Sequence, residues 1–445
     1  MMLAALLPAL LAPAAVLDID GAESTSIGIY IKDLKTGRVL VDHNSSLALT
    51  PASVMKVITS ATAMEMLGPD FRFVTHTGLA GRRDPRKRSR WEGDLVVRGS
   101  GDPTLGSDRF KEALGMADSI AAALRRMGIG EISGTVVIEE SMADAGPVPT
   151  WEVEDIAWPY GAGLYGFNYA GNTVAALPAK GITRPASSLK IRLLPAAKGQ
   201  KGIDVARGAE ADNLVVRAPK AKRKPDWSVN VSVPDPAGVF AGVLRGKLRA
   251  AGIAIGSRAA GASRASLTDV YAHRSPLAAD ILRDLMKRSD NLFAEGMLRA
   301  IDPEGTRGDC IDAERDHWAD RGISPRFTII RDGSGLSRSN RLSARFISDV
   351  LETMAGGQRA STWVDFFPVA GVDGTLKSFG KKTRLNGRLA MKTGSVAAVQ
   401  AYAGYRLDWE GRPTHTVVVI VNGFFCPRAR VRGAIEKMLL NTFAN

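Results

Sequence analysis

Short apolar runs separated by turn residues open the folded part of the chain. Residues 27–33 and 38–42 are two such runs, and Gly37 lies between them. Two β-prone runs joined by a glycine-containing turn predict a β-hairpin. Residues 53–67 then carry apolar side chains on nearly every side before Gly68-Pro69. Because a helix that is apolar all round is buried, and Gly-Pro ends a helix, this segment predicts a buried helix.

The rest of the chain changes character twice. Between residues 73 and 270, short β-like runs alternate with loops, whereas residues 271–445 return to helical periodicity followed by three strand-like apolar runs. Helices packed on a mainly antiparallel sheet would form one layer system from the outer segments. The sequence thus predicts an α+β fold. A domain of about five strands, built from 18–72 and 271–445, is split by a mostly β insertion of one or two domains at 73–270.

Residues 1–17 form an uncharged apolar segment ahead of Asp18. The segment is short for a membrane span, and residues 12–14 offer a small-residue cleavage pattern. We therefore predict a signal peptide and a protein exported to the periplasm or another extracytoplasmic space. Because no Lys or Arg precedes the apolar residues, a start further upstream or a retained anchor is the alternative.

The overall charge narrows the range of partners. The 445 residues have a formal net charge of +13, which favours nucleic acid, a membrane surface or an anionic envelope polymer. The basic runs at 82–90 and 220–224 contain no aromatic residue for base stacking. We predict no nucleic-acid partner and leave a loose association with membrane or anionic polymers open.

Metal and disulfide chemistry have little support in the sequence. The five histidines form no HExxH or HxxxH cluster, and Cys310 and Cys426 belong to no CxxC motif. The sequence therefore predicts no metal site. The two cysteines are equally compatible with buried thiols and with one disulfide.

Three short motifs carry candidate chemistry: S-x-x-K at 53–56, S-x-N at 289–291 and K-T-G at 392–394. A serine hydroxyl is a poor nucleophile until a neighbour takes its proton. Because residues three apart share a helix face, Lys56 can reach the Ser53 hydroxyl. Burial and nearby cations would lower the pKa of Lys56 and leave a neutral amine to act as base. The first motif therefore predicts a nucleophile and its general base.

The other two motifs supply the remaining groups. Ser289 can relay a proton, Asn291 can hydrogen-bond a substrate amide, and Lys392 can attract a substrate carboxylate. The predicted oxyanion donors are the main-chain N–H groups of Ser53 and Ser395, which need only correct placement. Together the motifs predict a serine hydrolase that works through an acyl-enzyme, without a metal or organic cofactor.

This constellation resembles that of the penicillin-binding proteins and serine β-lactamases. Residues 99–105 and 332–338, and the long interval between Ser53 and Ser289, are similar to the D-alanyl-D-alanine carboxypeptidase/endopeptidase family of penicillin-binding protein 4 type. The resemblance covers nearly the whole chain after about residue 24. It implies a β-lactamase/transpeptidase-like domain split by a large insertion. It also implies hydrolysis of D-Ala-D-Ala termini and of D-Ala-diaminopimelate cross-links in peptidoglycan.

The resemblance further implies roles for single residues. Lys392 and Thr393 would hold the terminal carboxylate, with Gly394 in the same substrate-binding motif. Asp155 lies in a segment similar to one whose aspartate meets the amino group of diaminopimelate, and Arg338 would also contact substrate. For both residues the alternative is an ordinary surface charge.

The implied partners are peptidoglycan muropeptides, with β-lactam antibiotics as acylating inhibitors. Two alternatives stay open: a serine β-lactamase or esterase, and a non-hydrolytic penicillin-binding sensor or wall-binding protein of the same fold. The large insertion argues against the first alternative, and the intact motifs argue against the second.

Overall fold

The structure is a computed structural model that describes residues 17–208, 211–261 and 266–444. Residues 1–16, which are all but the last residue of the predicted signal peptide, lie outside the described residues. Leu17, that last residue, is only 1% exposed and belongs to a hydrophobic cluster. Among the described residues no helix has the length and apolar character needed to cross a membrane.

Most strands lie in the middle of the chain, where the sequence predicts a β-rich insertion. The described residues form these strands: β1 Ser26–Asp33, β2 Val39–His43, β3 Val74–Arg83, β4 Arg90–Arg98, β5 Glu131–Ile132, β6 Val136–Glu139, β7 Thr173–Leu177, β8 Ile182–Arg184, β9 Lys190–Pro195, β10 Asp204–Ala206, β11 Asn213–Ala218, β12 Val229–Ser232, β13 Ala254–Ile255, β14 Thr268–Arg274, β15 Leu389–Val396, β16 Val399–Leu407 and β17 Pro413–Asn422.

More than half of the described α-helices lie in the last 170 residues of the chain. The helices of the described residues are α1 Met55–Met66, α2 Met116–Arg126, α3 Val153–Ile156, α4 Pro236–Ala250, α5 Ala278–Arg288, α6 Asn291–Arg299, α7 Arg307–Asp320, α8 Ala344–Gly356, α9 Ala360–Asp365 and α10 Arg428–Thr442.

One of two compact units combines both ends of the chain. It consists of Met1–Thr62, Arg283–Ser289 and Arg315–Asn445. Its sheet has the strand order β15-β16-β17-β1-β2, and every neighbouring pair is antiparallel. The five-stranded antiparallel sheet that the sequence predicts is therefore present. The predicted hairpin is the β1–β2 pair.

Alternation along the strands of this unit builds its core. Ile29 in β1 and Val419 in β17 are register partners and both are fully buried. Because side chains alternate between the two faces of a strand, residues two apart join the same hydrophobic cluster, which α10 covers through Ile435 and Leu439.

The predicted buried helix is α1, whose Thr62 hydroxyl accepts a hydrogen bond from the buried Trp318 indole at 2.9 Å.

The second unit consists of Ala63–Leu282 and Asp290–Glu314 and holds three sheets. The largest has the order β13-β5-β4-β3-β14, with β6 paired to β4, and the others have the orders β10-β11-β9 and β12-β7-β8. The strands of this unit pack with the helices α2 and α4, and their buried side chains form two hydrophobic clusters. The limits of this compact unit differ from the predicted insertion at 73–270. The domain boundaries given by the sequence stay a prediction.

The two cysteines are free thiols, and both are buried. Of the two possibilities that the sequence left open, the structure therefore has thiols and no disulfide between Cys310 and Cys426.

Candidate active site

Ser53 lies in a tight turn that leads directly into α1. The turn is the 3-10 helix Ala52–Val54, and α1 begins at the next residue. Ala52 has a φ of +48°, an unusual value for a residue with a Cβ atom. The sequence places Ser53 in the first turn of the α-helix, whereas the structure places it one turn earlier, half-buried at the helix entrance.

Gly394 brings the edge strand β15 against this turn. A Cβ atom at Gly394 would lie 2.6 Å from the Pro51 carbonyl oxygen, 3.0 Å from the Val54 nitrogen and 3.1 Å from the Ser53 nitrogen. No side chain fits at such distances, so only glycine permits the approach. The K-T-G motif therefore has a steric reason for its glycine. Gly394 therefore sets the distance between β15 and the Ser53 backbone. Ser395 is the next residue of the same strand.

Lys56 is fully buried directly behind the serine. Its Nζ lies 3.0 Å from the Ser53 Oγ and donates to the Ser334 carbonyl oxygen at 2.5 Å. The carbonyl fixes the amine in front of the hydroxyl, because a lysine has several rotatable bonds that would otherwise let it move. Sequence reasoning missed the Ser334 carbonyl as a site group. The only signal was the D-G-S-G run in residues 332–335, which contains it.

A buried carboxylate shapes the loop that presents this carbonyl. Asp332 accepts hydrogen bonds from the backbone nitrogens of Gly335 and Ser337 at 2.8 and 2.7 Å, and from the Asn340 amide at 2.7 Å. Gly335 has a φ of +77°, and a Cβ atom there would lie 1.9 Å from the Ala52 carbonyl oxygen. The loop therefore packs directly on the turn that carries Ser53.

Ser289 and Lys392 form a second serine–lysine pair in the candidate site, after Ser53 and Lys56. Ser289 follows the last residue of α5 and has a φ of +65°, a left-handed conformation that ends the helix and costs energy in a non-glycine residue. The Lys392 Nζ donates to the Ser289 Oγ at 2.8 Å and to the Thr393 carbonyl oxygen at 2.7 Å. The second and third motifs therefore meet at this hydrogen bond.

The charge of Lys56 affects the protonation of Lys392. Lys392 is fully buried, and burial together with the positive charge of Lys56 holds its pKa well below the usual range. The cause of this shift is a property of the pair, since burying two neighbouring ammonium groups is costly. The lowered pKa of Lys56 stays a prediction from the sequence.

Thr375 is a further hydroxyl beside the K-T-G motif, and sequence reasoning missed it. The Thr393 Oγ1 donates to the Thr375 Oγ1 at 2.8 Å. Thr375 lies on the 3-10 turn Gly374–Leu376, where a Cβ atom at Gly374 would lie 2.7 Å from the Lys287 carbonyl oxygen. An ion pair of 2.6 Å between Lys287 and Asp373 also holds this turn to the end of α5. No local pattern marks Thr375, because its role depends on this long-range contact.

Two of the predicted substrate contacts belong to the second unit and share a partner. The Asn291 Nδ2 donates to the Tyr160 carbonyl oxygen at 2.7 Å, and the Tyr160 hydroxyl donates to the Asp155 carboxylate at 2.9 Å. Asp290, which caps α6, pairs with Arg109 at 2.7 Å. Within this unit the structure therefore brings Asn291 and Asp155 to one residue, Tyr160.

Arg338 lies at the end of the loop that carries Ser334. Its carbonyl oxygen accepts hydrogen bonds from the Arg341 guanidinium at 2.7 Å and from the Thr50 hydroxyl at 3.4 Å. These bonds fix the backbone at this position, and Thr50 is three residues before Ser53.

The fold and the clustered motifs together define a class of proteins, the transpeptidase-like serine peptidases. Penicillin binding protein 4 from Haemophilus influenzae has a solved structure that matches with a TM-score of 0.80 and 24% identity, over 96% of this chain and 97% of that one. A second structure of that protein, complexed with a β-lactam, matches with a TM-score of 0.75 and 22% identity, over 96% and 97%. At this identity the likeness shows the fold, and it confirms the predicted fold class.

The family follows from the sequence. The model of the D-Ala-D-Ala carboxypeptidase 3 (S13) family matches residues 14–440, and the chain belongs to this family. A D-alanyl-D-alanine carboxypeptidase from Actinomadura is 27% identical over 446 residues, which cover 91% of this chain and 79% of the relative. The predicted family resemblance is confirmed. The protein is an enzyme, a serine peptidase of the D-Ala-D-Ala carboxypeptidase type.

Proposed function

We propose that the enzyme cleaves the bond between two D-alanines through an ester intermediate on Ser53. The observation that carries this proposal is the distance of 3.0 Å between the Ser53 Oγ and the buried Nζ of Lys56. A buried amine at hydrogen-bond distance from a hydroxyl is the arrangement that general-base activation requires. The Ser334 carbonyl supports the proposal because it holds the amine in place.

In the first step, the Ser53 Oγ bonds to the carbonyl carbon of the penultimate D-alanine while Lys56 takes the hydroxyl proton. The positive charge that Lys56 carries after this transfer, together with burial, disfavours a proton on Lys392, in keeping with the lowered pKa of Lys392. If Lys392 is neutral, the pair holds only one positive charge after the transfer. The negative oxygen of the tetrahedral intermediate would accept hydrogen bonds from the backbone nitrogens of Ser53 and Ser395. Such donors contribute on the order of 3 kcal/mol each in other enzymes.

In the second step, the bond to the leaving D-alanine breaks and its nitrogen takes up a proton. We assign the delivery of this proton to the Ser289 hydroxyl, which Lys392 contacts at 2.8 Å. Ser289 then regains a proton, the one that Lys56 took from Ser53, so that Lys56 is again neutral for the next step. A water molecule then attacks the ester, the same groups take and return its proton, and the shortened peptide leaves. Every bond made or broken is served by groups of this chain.

The substrate contacts follow from the family resemblance, with Lys392 and Thr393 as hydrogen-bond donors. Lys392 and Thr393 would hold the terminal carboxylate, with Gly394 in the same motif on the edge strand. Asn291 would hydrogen-bond a substrate amide. Asp155 and Arg338 would recognise the charged groups of diaminopimelate, and cleavage of D-Ala-diaminopimelate cross-links by the same steps would make the enzyme an endopeptidase as well.

The place of action follows from the substrate. Peptidoglycan lies outside the cytoplasmic membrane, so we propose an exported protein of the periplasm or another extracytoplasmic space. A β-lactam resembles the D-Ala-D-Ala bond and would acylate Ser53, which the β-lactam complex of the Haemophilus influenzae protein supports by analogy.

The test uses a fluorescent penicillin, a muropeptide ending in D-Ala-D-Ala and a cross-linked dimer, each with the natural enzyme and with Ser53→Ala. We expect stable labelling, release of D-alanine and cleavage of the dimer, all lost in Ser53→Ala. Mass spectrometry of the labelled enzyme should place the adduct on the peptide that contains Ser53.

Other outcomes would change the conclusion in different ways. Rapid penicillin turnover without peptide hydrolysis would indicate a β-lactamase, and persistent labelling without hydrolysis of either peptide would indicate a sensor. Full activity in Ser53→Ala would remove the proposed mechanism. Ser45→Ala is a matched control, because it deletes the hydroxyl of another buried serine outside the three motifs.

A further inference from the structure

Three arginines without carboxylate partners cluster at one end of the five-stranded sheet. Arg388 precedes β15, Arg406 lies near the end of β16, and Arg384 is exposed a few residues earlier in the chain. Burial and the neighbouring guanidiniums of Arg388 and Arg384 lower the pKa of Arg406. Among the described residues none of the three arginines forms an ion pair, so their charges add.

An exposed indole lies beside these arginines. Trp409 is in the turn between β16 and β17, and it is 89% exposed. The Arg388 guanidinium carbon is 4.1 Å from the centroid of the Trp409 ring, which holds the two side chains together. We refer to Arg384, Arg388, Arg406 and Trp409 as the arginine face.

The acidic groups beside the arginine face already have other partners. Asp408 and Glu410 pair with Arg412 at 2.7 and 2.9 Å. Asp33 lies 3.6 Å from the ring of His415, the register partner of Arg406. These contacts leave the three guanidiniums of the face uncompensated.

The arginine face is held against α10. The Arg384 guanidinium donates to the Leu440 carbonyl oxygen, and the Arg406 guanidinium carbon is 4.8 Å from the centroid of the Phe443 ring. Arginines that are already positioned lose less side-chain entropy when they bind a partner. The face is therefore preorganised.

The N-terminal end of the described chain joins the unit at the same helix. Leu17 shares a hydrophobic cluster with Leu439 and Phe443, and the Asp18 carboxylate is 3.1 Å from the Lys437 Nζ. The residues that precede Leu17 carry no charged side chain.

We propose that the arginine face docks on an anionic lipid surface, with the guanidiniums on lipid phosphates and Trp409 at the interface. Basic side chains are attracted to anionic headgroups, and tryptophan is enriched at the level of the headgroups. A soluble polyanion would need only the charges. The exposed indole therefore favours a bilayer. This inference is independent of the proposed catalytic mechanism.

The test measures cosedimentation of the full chain with vesicles of phosphatidylglycerol and phosphatidylcholine, and with vesicles of phosphatidylcholine alone. The variant is Arg384→Gln/Arg388→Gln/Arg406→Gln. We expect the natural chain to prefer the anionic vesicles and the triple variant to bind them about a hundredfold more weakly, since each arginine contributes about fivefold. Residues 1–16 are the same in both proteins, so any difference belongs to the face.

The matched control is Lys220→Ala/Lys222→Ala/Lys224→Ala, which removes three exposed charges from the second unit. Equal weakening by both triple variants would overturn the proposal in favour of general charge attraction. Unchanged binding by the arginine variant would also overturn it. Thermal melting and D-alanine release confirm that each variant is folded.

A second readout follows Trp409 itself. We expect its fluorescence to shift to the blue on anionic vesicles, and Trp409→Phe to abolish most of that shift. Tight binding to soluble polyphosphate together with no preference for anionic vesicles would assign the face to a polymer and overturn the lipid proposal.

Discussion

Asp102 offers a quantitative test of how burial acts on this protein. It lies in the 99–105 motif, is only 3% exposed, and accepts hydrogen bonds from the Thr104 nitrogen at 2.8 Å and the Thr104 hydroxyl at 2.7 Å through one oxygen. The other carboxylate oxygen has no hydrogen-bond partner among the described residues. Burial raises the pKa of Asp102 from 3.8 to about 6, against the opposing effect of the Thr104 bonds.

The sign and size of the effect on stability follow from this shift. A raised pKa means that the folded state holds the proton more tightly than the unfolded state. The contribution of Asp102 therefore becomes less favourable as the pH rises from about 3.8 to about 6, and it is constant above that range. A shift of about two units corresponds to about 3 kcal/mol of lost stability at neutral pH.

Replacing Asp102 with Asn removes the charge and keeps an oxygen that can accept from Thr104. Leaving the new amide donors buried without partners costs about 1–3 kcal/mol at every pH. We therefore expect Asp102→Asn to be relatively more stable at the higher pH. The difference in the free energy of unfolding, variant minus natural chain, should be about 1.5 kcal/mol larger at pH 7.5 than at pH 5. Urea unfolding followed by circular dichroism at both pH values measures this difference.

The matched control for this prediction is Glu112→Gln, which removes an exposed carboxylate from the same unit. We expect its relative stability to change little between the two pH values. A difference for Asp102→Asn that is independent of pH, or one that grows on acidification, would refute the reasoning from burial.

The remaining predictions concern the candidate site. Gly394→Ala should slow labelling by fluorescent penicillin about a hundredfold, because its Cβ atom would displace the Ser53 turn and misplace the oxyanion donors; a labelling rate near normal would contradict the steric argument. Thr375→Val should raise the KM for a carboxylate-terminated peptide about fivefold with little change in kcat, and Thr375→Ser should restore it; equal effects of both substitutions would indicate a merely structural role. Acylation should slow on acidification as Lys392, whose pKa is lowered, takes up a proton beside Lys56; stopped-flow labelling from pH 5 to 9 that shows no acidic decline would contradict this assignment.

Some features of the protein were determined by the sequence alone. The β1–β2 hairpin, the buried helix α1 and the strands β15 to β17 follow from the spacing of apolar residues, because that spacing fixes which face of each element is buried. The pairing of Ser53 with Lys56 follows from helical geometry. The three motifs, together with residues 99–105 and 332–338 and the long interval between Ser53 and Ser289, were sufficient to predict the family by resemblance.

Only the tertiary structure decided the finer parts of the site. The Ser334 carbonyl on Lys56, the Thr375 hydroxyl on Thr393 and the left-handed Ser289 each depend on segments far apart in the chain, and no local pattern records such contacts. The lowered pKa of Lys392 is of the same kind, since it arises from burial and from the charge of Lys56. Periodicity determines which face of an element is buried, but only packing determines what that face meets, and the electrostatics of this site depend on those contacts.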